Sequence, residues 1–133
     1  MIISPDFGAS KRTEAFAQLY GAKSLQLSKS RDRSTGEVKI KQEELHVEGR
    51  DVLFLDEVVT TGATIRAATE MVLGQGAKSA SVVCTHGVFA GDTVEKLEKA
   101  GVKNIITTNT IPGRFSKVDV AEALASHLRT LEE

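Results

Sequence analysis

The stretch Asp56-Glu57-Val58-Val59-Thr60-Thr61-Gly62-Ala63-Thr64 gathers more potential chemistry than any other part of the chain. Two adjacent carboxylates can accept hydrogen bonds from neighbouring hydroxyls of a sugar. Just beyond them, Thr60 to Thr64 offer hydroxyls and backbone N–H groups at the start of a helix, where unpaired donors and the partial positive charge favour a phosphate dianion. Gly62 permits a close backbone approach. A pentose 5-phosphate would satisfy both halves at once. The glycine–lysine signature of the nucleoside-triphosphate loop is absent. Helix capping also places Thr and Asp between a strand and a helix, so residue chemistry alone leaves both readings open.

Three further groups could act. Lys29 and Arg31 lie in a charged stretch, Lys29-Ser30-Arg31-Asp32-Arg33-Ser34-Thr35-Gly36, that cannot pack into a core. Lysine supplies a compact charge and arginine a two-pronged one, which together suit a phosphate clamp; a solvated hairpin tip has the same composition. Arg33 is a weaker third candidate. Asp6 follows Pro5 at the end of an apolar segment, where an Asp commonly forms a turn. Cys84 and His86 are two apart, but the apolar run around Cys84 argues for a buried, inert thiol rather than a nucleophile.

These residues need elements to position them. The 133 residues, 41% hydrophobic and 26% charged, suit one globular domain. Met1 to Ser4 reads as a short buried strand. Arg12, Ala15, Phe16 and Leu19 recur at helical spacing before Gly21. Ser24 to Ser28 and Glu37 to Lys41 alternate as strands do. Val52 to Leu55 is the most apolar run and is expected mid-sheet, buried on both faces. A helical stripe of Ile65, Ala68, Met71 and Val72 ends at Gly74-Gln75-Gly76. Ser79 to Cys84 is a strand, and Asp92 with Glu95 resembles a capping box ahead of Val94, Leu97 and Ala100. Asn104 to Thr107 is a last strand. Val120 to Leu131 is a final helix with Ala121, Leu124 and Leu128 on its apolar face. This order predicts an α/β three-layer fold, a mostly parallel central sheet with helices on both faces. Ligands of such sheets bind beyond the carboxyl ends of the strands.

Charge and composition remove several classes. Seventeen basic and eighteen acidic side chains give a formal net charge of −1, so no whole-domain positive field draws nucleic acid or a membrane surface. No run of about 18 apolar residues spans a bilayer, and the first residues lack the regions of a signal peptide, which points to the cytoplasm. One cysteine excludes an internal disulfide framework.

The acidic-threonine stretch resembles the ribose-5-phosphate loop shared by type I phosphoribosyltransferases and ribose-phosphate pyrophosphokinases. Four other segments are similar to the carboxyl-terminal domain of the pyrophosphokinases in order and spacing: Ile3-Ser4-Pro5-Asp6-Phe7-Gly8, Lys29 and Arg31 in the flexible-loop position, Thr85-His86-Gly87-Val88-Phe89, and Thr108-Asn109-Thr110-Ile111-Pro112. Two departures are mild: the family's usual Asp-Asp is Asp56-Glu57 here, and its Gly-Thr is Ala63-Thr64. The resemblance implies a type I phosphoribosyltransferase fold. It also implies transfer of diphosphate from ATP to ribose 5-phosphate, giving phosphoribosyl pyrophosphate and AMP, with Mg2+ as cofactor. On that basis Lys29 and Arg31 would be catalytic. Asp56, Glu57, Thr60, Thr61, Gly62, Ala63 and Thr64 would bind ribose 5-phosphate, and Asp6 would take part in holding the metal. Residues 1–133 would then be the ribose-5-phosphate-binding half, completed by an amino-terminal homologous domain or a homo-oligomer. The chain would be an excised domain, a truncated product or one part of a two-chain enzyme, binding ribose phosphate with little activity of its own. The competing expectations are a nucleobase phosphoribosyltransferase, which would need a base-recognising hood segment, and a non-catalytic module that binds phosphoribosyl pyrophosphate or assists assembly.

Overall fold

The structure is a computed structural model that describes residues 1–32, 34–35, 38–41 and 44–131. Arg33, Gly36 and Glu37 lie outside the described residues. In chain order the elements are β1 (Ile2–Ser4), a single 3-10 turn (Phe7–Ala9), α1 (Ser10–Tyr20), β2 (Ser24–Gln26), β3 (Lys29–Arg31), β4 (Val38–Ile40), β5 (Asp51–Val59), α2 (Ala63–Gly74), β6 (Ser79–Gly87), α3 (Thr93–Lys99), β7 (Val102–Thr108), β8 (Ser116–Val118) and α4 (Ala121–Thr130).

Six strands form one sheet in the order β2-β1-β5-β6-β7-β8, and every pair in it is parallel. From β1 the chain crosses outward to β2. From β5 it steps the other way through β6 to β7. Right-handed crossovers therefore place α1 on one face and α2 and α3 on the other, giving the expected three layers. The reversal of strand order falls between β1 and β5, which makes their carboxyl ends the natural ligand crevice.

The core lies mainly on the α2–α3 side, where Phe54, Val82 and Ala80 of the sheet meet Ile65, Ala68, Val72 and Leu97, all fully buried. Strand β5 departs from the expected burial on both faces. Val52 and Phe54 are buried, whereas Leu53 and Leu55 are half-buried. Helix α1 packs on β1 and β2 and covers that face only there. Its buried positions are Thr13 and Ala17 rather than the larger residues of the expected stripe, and Leu19 is 91% exposed. Two small side chains let the helix sit close to the sheet.

Three other expectations change. Asp92 does not cap α3; its Oδ1 takes the Lys96 ammonium at 2.8 Å, an i,i+4 ion pair along the helix surface. The apolar side chains of α4 are exposed, Leu124 and Leu128 at 61% each. Strands β3 and β8 are too short and too polar to show a period-two pattern, and they exist because neighbours supply the pairing. In the turn before β8 the Gly113 amide donates to Ser116 Oγ at 3.0 Å.

Candidate functional site

Strand β5 runs four residues past its apolar centre, so Asp56 and Glu57 are strand residues rather than loop residues. Successive side chains on a strand point to opposite faces. The consequence separates the two carboxylates. Asp56 is half-buried and lines a cleft of about 200 Å3 together with Asp6, Val58, Val59, Thr60, Thr61, Gly62, Ala63, Thr64 and Ile65. Glu57 is exposed, does not line that cleft, and binds Arg12 of α1 at 2.9 Å. The pair expected to grip one sugar together is thus divided between two faces of the sheet. Asp56 Oδ1 also accepts the Glu57 amide at 2.7 Å, which holds its carboxylate against the strand.

The turn after β5 has the form of an anion cradle. Gly62 is the N-cap of α2 with φ +66, a left-handed conformation that side chains resist. No side chain among the described residues caps this helix, and no acidic residue stands in its first turn. The first amides of α2 therefore have no intrahelical acceptor and belong to residues that line the cleft. Gly62 serves a second purpose that the sequence does not reveal. A Cβ there would stand 2.9 Å from Thr93 Cγ2 and 3.2 Å from Leu97 Cδ2, so α3 presses directly on the turn.

Asp6 reaches the same cleft from the end of β1. Its Oδ1 accepts the Ala9 amide at 3.2 Å, so the residue also shapes the turn into α1. Lys29 and Arg31 lie in β3, which pairs antiparallel with β4 in a two-stranded ribbon separate from the main sheet. The ribbon leaves from the end of β2, a parallel strand, and therefore departs from the same carboxyl edge as the cradle, one strand beyond β1.

The other two sequence segments meet at this edge. Thr108 Oγ1 and Thr110 Oγ1 both donate to the Thr85 carbonyl, at 2.8 and 2.9 Å, and Thr110 Oγ1 lies 2.8 Å from His86 Nδ1. Phe89 has φ +44 and lays its ring over Gly87, where a Cβ would come within 2.5 Å of it. The same ring packs edge-on against Phe115 with centroids 5.5 Å apart. Cys84 is 1% exposed, and burial first, then the nearby Asp56 charge, push its thiol up to about 11 against the bond it gains from Val59. It is no nucleophile at neutral pH. His46 is exposed, as is His127. Among the described residues no group of three or more His, Cys, Asp or Glu is arranged to hold a metal by itself.

Comparison with known proteins gives this geometry a context. Residues 34–131 match the family model described as phosphoribosyl synthetase-associated domain. The ribose-phosphate pyrophosphokinase of Sulfurisphaera tokodaii is 41% identical over 128 residues, covering 93% of this chain and 44% of that protein. Ribose-phosphate pyrophosphokinase 2 of Archaeoglobus fulgidus is 38% identical over 128 residues, covering 96% of this chain and 47% of the relative. The chain thus spans a little under half the length of the curated relatives it matches. The crystal structure of phosphoribosylpyrophosphate synthetase from Mycobacterium smegmatis superposes with a TM-score of 0.75 at 27% identity, covering 98% of this chain and 44% of the other. With a sheet that reverses between β1 and β5, a glycine-capped threonine cradle at that reversal and a family match over residues 34–131, the chain belongs to the phosphoribosyl synthetase-associated domain family.

Proposed function

We propose that this chain is the ribose-5-phosphate-binding half of a ribose-phosphate pyrophosphokinase, which transfers diphosphate from ATP to ribose 5-phosphate and releases AMP. The observation that carries the reading is the cleft at the strand-order reversal, whose lining brings Asp6 and Asp56 together with Thr60 to Thr64. A pentose phosphate has this polarity, with hydroxyls for the carboxylate and a dianion for the helix amino terminus. Asp56 accepts from the sugar hydroxyls. The amides of Thr61, Gly62, Ala63 and Thr64 and the threonine hydroxyls take the phosphate. Glu57 acts from the rim through Arg12, to which it is paired.

The anomeric hydroxyl must attack the β-phosphorus of ATP in line, and the charge spread over the transferred group must be balanced. Lys29 and Arg31, on the ribbon at the same edge, supply that balance when they reach the triphosphate. Magnesium fits the donor set present. It prefers one or two carboxylates completed by phosphate oxygens and water, and Asp6 and Asp56 are two carboxylates on one cleft. When bound, the ion neutralises phosphate charge and fixes the triphosphate's orientation. In this reading a homologous amino-terminal domain contributes the rest of the ATP site, in a cytoplasmic enzyme whose subunits associate.

The test follows AMP release from ATP and ribose 5-phosphate. The isolated chain is expected to bind ribose 5-phosphate yet turn over little, and an amino-terminal half added in trans should raise the rate. Robust turnover by the isolated chain contradicts the half-enzyme reading.

A further inference from the structure

The back of the cradle is held by the segment joining β6 to α3. The Val88 and Phe89 amides donate to the Val59 carbonyl at 3.1 and 3.0 Å, and the Ala90 amide donates to the Thr60 carbonyl at 2.9 Å. The left-handed turn at Phe89 lets consecutive amides face the same strand end. The Thr60 carbonyl receives one more donor, the hydroxyl of Thr93, also at 2.9 Å. That hydroxyl carries one proton, shared with the Ala90 carbonyl at 2.6 Å. Thr93 is 2% exposed and its methyl is the atom closest to a Cβ on Gly62.

A trans peptide is planar, with the carbonyl of one residue antiparallel to the N–H of the next. Anchoring the Val59 and Thr60 carbonyls toward α3 therefore turns the Thr60 and Thr61 amides the other way. Thr60 and Thr61 line the cleft, whereas Ala90 and Thr93 do not. We infer that Thr93 is a positioning residue for the phosphate cradle: its buried hydroxyl, through the Thr60 carbonyl, aims the Thr61 amide at the bound phosphate. The residue itself stands outside the cleft lining. Its place at the start of α3 would ordinarily read as a local contact to Ala90, three residues back, but the bond to Thr60 spans 33 positions and ends in the cradle. The inference rests on the proposed ribose 5-phosphate site, whose failure the experiment separates from its own.

Thr93→Val keeps the shape and deletes the hydroxyl, Thr93→Ser keeps the hydroxyl and deletes the methyl, and Thr93→Ala deletes both. Calorimetric titration of ribose 5-phosphate into each full chain, with folding checked by circular dichroism, reads the effect. Loss of one neutral hydrogen bond predicts a dissociation constant raised roughly 5- to 10-fold in Thr93→Val and Thr93→Ala, recovered in Thr93→Ser. If Thr93→Val does not fold, the Ser and Ala variants decide by themselves. Equal affinity in the unchanged chain, Ala and Val overturns the positioning role, as does a loss in Ser equal to that in Ala, which would assign the effect to packing. An unchanged chain that binds no ribose 5-phosphate overturns the proposed site and, with it, the positioning role.

Discussion

Replacing Gly62 by alanine probes the cradle where its backbone and its packing are both constrained. Two penalties add at that position. The left-handed φ of +66 costs an L-residue about 1–2 kcal/mol. The new Cβ then sits 2.9 Å from Thr93 Cγ2 and 3.2–3.3 Å from two Leu97 atoms. Both neighbours are buried and cannot swing into solvent, so overpacking adds about 1–3 kcal/mol. Gly21 supplies the control. It has φ +73 at the end of α1, and a methyl group placed there would meet nothing within 4 Å, so Gly21→Ala carries the backbone penalty alone. Alanine restricts the unfolded chain equally at both sites, and that offset cancels in the comparison. Urea unfolding of the two variants should therefore show Gly62→Ala less stable than Gly21→Ala by about 1–3 kcal/mol. Ribose 5-phosphate affinity should fall in Gly62→Ala and hold in Gly21→Ala. Equal stability losses would refute the packing of α3 on the cradle.

Other outcomes follow from the same geometry. Asp56→Asn should weaken ribose 5-phosphate binding by about 1.5–3 kcal/mol, the range for a hydrogen bond to a charged group, while Glu57→Gln should weaken it less because its partner is Arg12; calorimetry on both variants decides, and equal losses would contradict the division of the pair. The raised thiol of Cys84 favours the protonated folded state. Its contribution is complete below about pH 9 and lost as pH rises toward 11, so Cys84→Ala should flatten the alkaline fall in urea stability over that window. Asp119 is held below the ordinary carboxylate range by the Ala121 amide and then by Asn109. That contribution is present above the ordinary range and lost as pH falls through the lowered value, so the protection factors of the Val120 and Ala121 amides, taken against the intrinsic exchange rate at each pH, should fall in acid, and Asn109→Ala should lower them at neutral pH.

The legible part of the sequence was the part governed by local chemistry. Alternating apolar strands and helical stripes predict the parallel sheet, and the run from Val52 through Thr64 predicts a strand, a turn and a helix amino terminus without reference to anything distant. Long-range facts escaped. Arg12 reads only as one position of a helical stripe, and only the fold brings it across 45 positions to Glu57. Thr93 reads as one polar residue beside an apparent capping box, yet it bonds the cradle while Asp92 turns to Lys96. The division of Asp56 from Glu57 was readable in principle, because a strand that continues through both must split them. The expected loop boundary after Leu55 hid it. Leu124 and Leu128 show the limit of periodicity, which finds an apolar stripe but cannot say whether anything covers it.

The relation between motif and structure is clearest at the carboxyl edge of β6 and β7. Gly87 follows from the Phe89 ring above it, and Thr108 and Thr110 follow from the Thr85 carbonyl they share. These residues build the wall beside the cleft rather than its lining. That distinction matters for reading substitutions, because loss of a wall residue lowers stability first and binding second.

The crystal structure of the chain with ribose 5-phosphate bound tests the central claim most directly. The phosphate is expected against the amides of Thr61 to Thr64, with a sugar hydroxyl on Asp56. Density for the ligand elsewhere on the molecule, with that turn left vacant, would contradict it.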